Sequence, residues 1–239
     1  MKIISFLDYK VGRKASQTLL ELDSAKDGLR INAGLNLIVA PNGKGKTTFL
    51  QTLADVLPAL GGEPMADGKS LPAGRDVLYV SEYLSFPKFI YPMEWVDFMS
   101  GSRMSPAERE RELAPWIEGF ALEPKMGSFL GRMSQGERRK VTWLGAHASK
   151  KPMLLLDEPL DGLDLLAIKT ARAMVSRWKE EGRVILVVAH QVGELIDLAD
   201  EVWLIRDRKL LTWDKAIGGQ KPQAMPAEDF RSNVLKFYS

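Results

Sequence analysis

The chain contains no cysteine and only two histidines, His147 and His190. The first absence excludes disulfides and thiolate-bound metals and is compatible with a reducing compartment. The second argues against a histidine-rich metal centre. Neither sign of charge dominates: 33 basic residues face 31 acidic ones, for a net charge of +2, so no nucleic-acid partner is expected from the overall field. No stretch approaches the roughly 20 apolar residues of a membrane-spanning helix, and the opening "MKIISFLDYK" lacks the apolar core of a signal peptide. These absences predict a soluble chain whose membrane role, if it has one, comes through a partner.

What is present is ordinary globular composition: 239 residues, 45% hydrophobic and 27% charged, the size of one large α/β unit. The run Leu35-Asn36-Leu37-Ile38-Val39 leads into a Gly-rich loop, after which Leu50, Leu53, Ala54 and Leu57 recur at helical spacing. Residues 58–74 are dense in Gly and Pro and read as turns before a strand in "DVLYVSE". From about 84 to 132 the pattern changes to short helices, one of them opened by Ser105, Pro106 and Glu108 in a capping-box arrangement. "KPMLLLDEP" and "RVILVVAHQ" are continuous apolar runs, as in parallel strands buried on both faces. Residues 164–181 fit the crossover helix between them, and "EVWLIRD" with "KLLTW" fits a closing hairpin.

Four features carry chemistry. In "VAPNGKGKTTF", consecutive backbone amides at a helix start can cradle phosphate oxygens. Lys46 can reach the β- and γ-phosphates, Thr47 can hold Mg²⁺, and Thr48 and Asn42 complete the loop. Only Ala40 departs from the strict phosphate-loop pattern, and a Gly-rich helix cap is the structural alternative. Asp157 and Glu158 end a buried strand, where the first can enter a Mg²⁺ shell and the second can polarise a water. His190 ends the next apolar run, 32 residues on; a lone histidine there is otherwise an ordinary hydrogen-bonded residue. "MSQGERRKV" places Ser134 and Gly136 at the entrance of a basic helix, either an anion site supplied to another chain or a capped surface helix with solvated Arg138, Arg139 and Lys140.

Taken in order, "APNGKGKTT", "MSQGE", "LLLDEP", "LDGLD" and "VVAH" resemble the nucleotide-binding subunit of ATP-binding cassette (ABC) transporters, from about residue 35 to 213. The discriminating element is "MSQGE", which is similar to that family's signature motif and follows Lys46 by 88 residues at Ser134. The resemblance implies an α/β P-loop NTPase fold in one domain over residues 1–239: a mixed, mainly parallel sheet flanked by helices, an antiparallel β subdomain and an inserted helical subdomain at about 84–132. It implies ATP and Mg²⁺ as ligands. The loop Ala40, Pro41, Asn42, Gly43, Lys44, Gly45, Lys46, Thr47 and Thr48 would bind nucleotide, with Glu158 as general base and His190 as a switch contacting the γ-phosphate. Thr47, Asp157 and Glu82, a variant of the usual Q-loop glutamine, would hold the metal.

In the dimer that the resemblance implies, Ser134, Gln135, Gly136 and Glu137 act in trans on the ATP of a second copy or a homologous cassette, and Asp164 of the D-loop lies across the interface. The expected role is ATP hydrolysis driving an integral membrane permease, from a cytoplasmic position on the inner face of the membrane, with a lean toward export from Glu82 and "SQGERRK". A soluble cassette protein serving as a scaffold is the alternative. Tyr9 is the candidate for stacking on adenine, or else an ordinary strand aromatic. His147 reads as structural.

Overall fold

A computed structural model describes residues 1–14, 17–81, 83, 85–102, 104–189 and 192–239. The first strand, β1 (Ile3–Gly12), pairs antiparallel with β2 (Thr18–Leu22). A one-turn helix, α1 (Ser24–Asp27), and short β3 (Ile31–Asn32) follow, the latter also against β1. β4 (Gly34–Val39) enters a second sheet, and the loop after it starts α2 (Lys46–Leu53). The chain returns to the first sheet with β5 (Gly61–Ala66) and β6 (Lys69–Ser70), then passes through α3 (Ala73–Asp76) to β7 (Val77–Val80). Helices α4 (Pro92–Ser100), α5 (Pro106–Gly119) and α6 (Gln135–Ala148) precede β8 (Met153–Asp157). The crossover helix α7 (Leu165–Glu180) leads to β9 (Val184–Val188), the hairpin β10 (Glu201–Arg206) and β11 (Lys209–Thr212), and the closing helices α8 (Trp213–Ala216) and α9 (Ala227–Tyr238).

The second sheet runs in the order β11-β10-β4-β9-β8-β7 and is parallel except at β11. Alternation along its strands sorts the core into two. Leu35, Leu37, Leu154, Leu156, Ile185 and Val187 face α6 and α7. Ile38, Met153, Leu155, Val184 and Leu186 face α2 and the antiparallel sheet, meeting Phe49, Leu50, Phe6 and Tyr9. The strand runs, the crossover helix and the hairpin therefore lie where the apolar pattern put them. The Ser105 cap also forms: its hydroxyl accepts from the Glu108 amide at 3.3 Å, and the Glu108 carboxylate accepts from the Ser105 amide at 2.7 Å.

Residues 58–74 differ from the turn reading. Gly61 to Ala66 form a strand against β1, in which Met65 pairs with Ser5 and Pro64 with Phe6. The edge of β1 supplies the partner, and that pairing overrides the poor strand propensity of Gly and Pro.

His147 is structural, as its sequence context suggested. It is 3% exposed, and its Nδ1 accepts a hydrogen bond of 3.1 Å from the Trp178 indole. Burial, followed by the charges of Lys150 and Arg183, pushes its pKa down to about 4. An unfolded chain protonates this side chain below about pH 6.5 while the folded one keeps it neutral. Its contribution to stability is therefore complete above that pH and is lost as pH falls toward 4, an effect of roughly 3 kcal/mol. Urea denaturation midpoints across this window should fall more gently in His147→Gln, which retains an acceptor for Trp178 without the titration.

Candidate functional site

β4 delivers the chain to Ala40, whose methyl is buried in the core beside Phe49 and Leu50. Ala40 stays outside the left-handed region, so the missing glycine costs the loop nothing. The two positions that need glycine have it: φ is +79° at Gly43 and +91° at Gly45. Gly45 caps α2 without a side-chain hydrogen bond, leaving the first amides of the helix directed at whatever enters the loop. Lys46 curls beneath the loop, donating from Nζ to the Ala40 carbonyl at 2.6 Å and to that of Pro41 at 3.3 Å. Burial lowers its pKa, against the opposing pull of Glu158 and Asp157. Pro41, Asn42 and Lys44 are exposed, and Thr48 is buried at the start of the helix.

β8 carries the acids to the same edge. Asp157, 1% exposed, accepts from the Thr47 hydroxyl at 3.2 Å and from the Tyr79 hydroxyl at 3.1 Å. Tyr79 was not foreseen. It sits on β7 opposite Leu155, and burial, then the Asp157 charge, raises its pKa to about 12. Glu158 is buried and adopts φ +49°, a left-handed conformation costing a non-glycine residue about 1–2 kcal/mol. Its amide donates to the Val188 carbonyl at 2.8 Å, so the β8–β9 ladder itself helps to fix the turn.

A cavity of about 670 Å³ collects these groups, lined by Asn42, Gly43, Gly45, Lys46, Thr47, Thr48 and Glu158. Arg13 and Gln17, which flank the β1–β2 connection, Leu19 of β2, and Tyr83 line it as well. Tyr9 does not line it. That side chain is 1% exposed, stacked on Phe6 at 5.6 Å, and belongs to the core. The sequence offered no signal for Arg13 or Leu19, because their nearness to the loop is a product of sheet packing. Glu82 and His190 lie outside the described residues.

Ser134, Gln135, Gly136 and Glu137 do not line the cavity. Ser134 caps α6, accepting from the Glu137 amide at 3.2 Å, while the Glu137 carboxylate accepts from the Ser134 amide at 2.7 Å. Ser134 and Gln135 are exposed. Asp164 caps α7 through the Ala167 amide at 2.8 Å and pairs with Lys140 at 2.8 Å. The basic run is not the solvated face considered above. Arg139 is 5% exposed and reaches the Ser81 carbonyl, and Arg138 lies over the Phe86 ring.

Among the described residues no group of three or more His, Cys, Asp or Glu side chains is placed to hold a metal. The Thr47 hydroxyl and the Asp157 carboxylate do suit Mg²⁺, which takes one or two protein oxygens and completes its shell with phosphate and water.

The sequence matches the ABC transporter family profile over residues 28–161. A vitamin B12 import ATP-binding protein of Yersinia pestis is 27% identical over 232 residues, covering 88% of this chain and 89% of the relative. An aliphatic sulfonates import ATP-binding protein of Cupriavidus necator is 30% identical over 199 residues, covering 81% of this chain and 63% of the relative. Among solved structures, an ATP-binding subunit of an ABC transporter superposes with a TM-score of 0.80 at 22% identity, over 98% of this chain and 99% of that one. The likeness to the solved structure concerns the fold alone.

Lys46 is a buried cation of the site. Replacing it with alanine removes at least one charge-assisted contact, worth up to about 3 kcal/mol. Calorimetric titration with inorganic triphosphate should show Lys46→Ala binding weakened on the order of 100-fold.

Proposed function

The chain belongs to the ABC transporter family, and from that premise we propose that it binds MgATP as one of a pair of cassettes and hydrolyses it to drive a separate membrane permease. The observation that carries this reading is the convergence of Lys46, Thr47 and Glu158 on one cavity, with Asp157 hydrogen-bonded to Thr47 at its edge. The loop amides and Lys46 bind the β- and γ-phosphates. Thr47 and Asp157 would hold Mg²⁺, whose chemistry is to offset charge on the phosphate oxygens. Glu158 takes a proton from the attacking water as the new oxygen–phosphorus bond forms and the bond to the β-phosphate oxygen breaks, leaving ADP and phosphate. His190 is assigned to the γ-phosphate and Glu82 to the metal by their match to the family pattern.

The exposure of Ser134 and Gln135, away from their own chain's cavity, supports their use in trans by a second copy or a homologous cassette. Leu165 and Leu166, 83% and 58% exposed beside Asp164, supply apolar area for such an interface. A separate patch holds Phe89, 82% exposed, and Tyr91, which meet the Phe129 ring at 6.3 and 4.6 Å. An exposed aromatic cluster of this kind marks a protein contact, and we assign it to the permease. Among the described residues no helix is long and apolar enough to cross a membrane; in this proposal the aromatic contact attaches the chain to the inner face. The curated relatives cited bear importer names and lend no support to the lean toward export.

Glu158→Gln should lower ATP turnover at least about 100-fold, as for loss of a general base, while an ATP-dependent dimer accumulates on gel filtration. Absence of ATPase activity in the unaltered dimer, with or without permease, would sink the reading. Co-purification of a soluble complex in place of an integral membrane protein would favour the scaffold role. Arg13 faces the base end of the cavity in this proposal, and Arg13→Ala should raise the half-saturating ATP concentration about fivefold, the size of an exposed cation–π contact.

A further inference from the structure

Gly136, Lys140, Trp143 and His147 follow one another at helical spacing and share one face of α6. Each meets the segment that begins with the Asp157-Glu158 turn and continues into α7. A Cβ on Gly136 would lie 2.6 Å from the Gly162 carbonyl oxygen, so the helix backbone rests directly on that segment. Lys140 pairs with Asp164 at 2.8 Å. The Trp143 indole donates to the Pro159 carbonyl at 3.1 Å in a buried contact. Its ring stacks on Trp178 of α7, with centroids 5.3 Å apart and planes at 6°. Trp178 in turn donates to His147, which closes the circuit back onto α6.

The middle rung touches the chemistry. Glu158 is held at φ +49°, and such a residue stays there only if its neighbours over-determine it. Its amide is fixed by Val188, and its carbonyl accepts from the Asp161 amide at 3.3 Å. The next residue, Pro159, is buried and has no N–H, so its carbonyl is its sole backbone hydrogen-bonding group. Among the described residues, Trp143 is the side chain that satisfies it. A phenyl ring could fill the same space against Trp178, but only an indole can also donate.

We propose that Trp143 is a positioning residue: through the Pro159 carbonyl it holds the Glu158 turn and ties it to the helix that presents Ser134 and Gly136. This rests on the reading of Glu158 as general base. In a dimer, movement of the α6 N-terminus upon engaging the partner's nucleotide is passed along the helix to the chain's own base, so the two half-sites are coupled through this face.

The test compares Trp143→Phe with Trp178→Phe in the full chain. Trp143→Phe should speed amide exchange at residues 157–164 about tenfold, while the phosphate loop stays within about twofold of the unaltered protein. Its kcat should fall about tenfold with KM for ATP nearly unchanged, the pattern of a lost transition-state arrangement. Trp178→Phe removes the donor to His147 and shrinks the ring stacked on Trp143 but keeps the Trp143 donor, so its kcat should stay within about twofold even if its melting temperature drops. Unchanged exchange and turnover in Trp143→Phe would overturn the proposal. So would equal losses of kcat in both variants in step with their melting temperatures. Because exchange is read without catalysis, an inactive parent protein would refute the ATPase reading and leave the positioning role to be judged by exchange alone.

Discussion

Burial of both faces of β4, β8 and β9 is the constraint on which the site depends. A strand covered on each side can present polar chemistry only at its ends. Parallel strands bring their C-terminal ends to one edge, which is where ligands bind in sheets of this kind. Lys46, Asp157 and Glu158 are gathered there because the strands leading to them admit almost nothing else. Asn36, the polar exception inside β4, is satisfied in place by Trp203 and by backbone carbonyls.

That edge is electrostatically uneasy by itself. One ammonium and two carboxylates, all less than a tenth exposed, share a region where charge is weakly screened. Burial disfavours the charged form of Lys46 while Glu158 and Asp157 favour it. A triphosphate entering the loop adds negative charge beside both acids. Lys46 is joined there by Arg13 on the cavity lining, and in the function proposed above a divalent cation against Thr47 and Asp157 adds to that counter-charge. The Tyr79 hydroxyl complements this arrangement, donating to the second Asp157 oxygen and so restricting the carboxylate's rotation.

Local signals were enough for the buried strands, the Ser105 cap, the Gly-rich loop at the start of α2 and the acid pair's place at a strand end, since each rests on spacing within a short segment. Contacts between distant segments were not readable. β5 carries Gly61, Gly62 and Pro64 and becomes a strand only because β1 offers an edge. Arg13 and Leu19 reach the cavity because the antiparallel sheet folds over α2, and Tyr9, the aromatic that looked suited to a base, points into the core instead. The contact from Trp143 to Pro159 spans two elements whose sequences do not announce it. The likeness of "MSQGE" to a signature motif drew attention to the helix start, whereas the residues that join the helix to the acid turn lie one to three turns further along.

In the reading proposed above, α6 serves two sites with different parts of one element. Its N-terminus keeps Ser134 and Gln135 exposed, which suits recognition of a ligand held by another chain. Its body is bound on two sides: Arg139 reaches the Ser81 carbonyl beyond β7, and Trp143 reaches the Pro159 carbonyl beyond β8. Those two carbonyls follow adjacent strands of the parallel sheet, so a rotation of α6 cannot be taken up by one without loading the other. A rigid helix joined in this way to neighbouring strand ends transmits displacement rather than absorbing it, because packed cores shift between discrete arrangements and do not deform continuously. The acid turn at Glu158, held in an unfavourable backbone region, lies between those two strand ends and α7, where such a conformation persists only while its neighbours keep it in place.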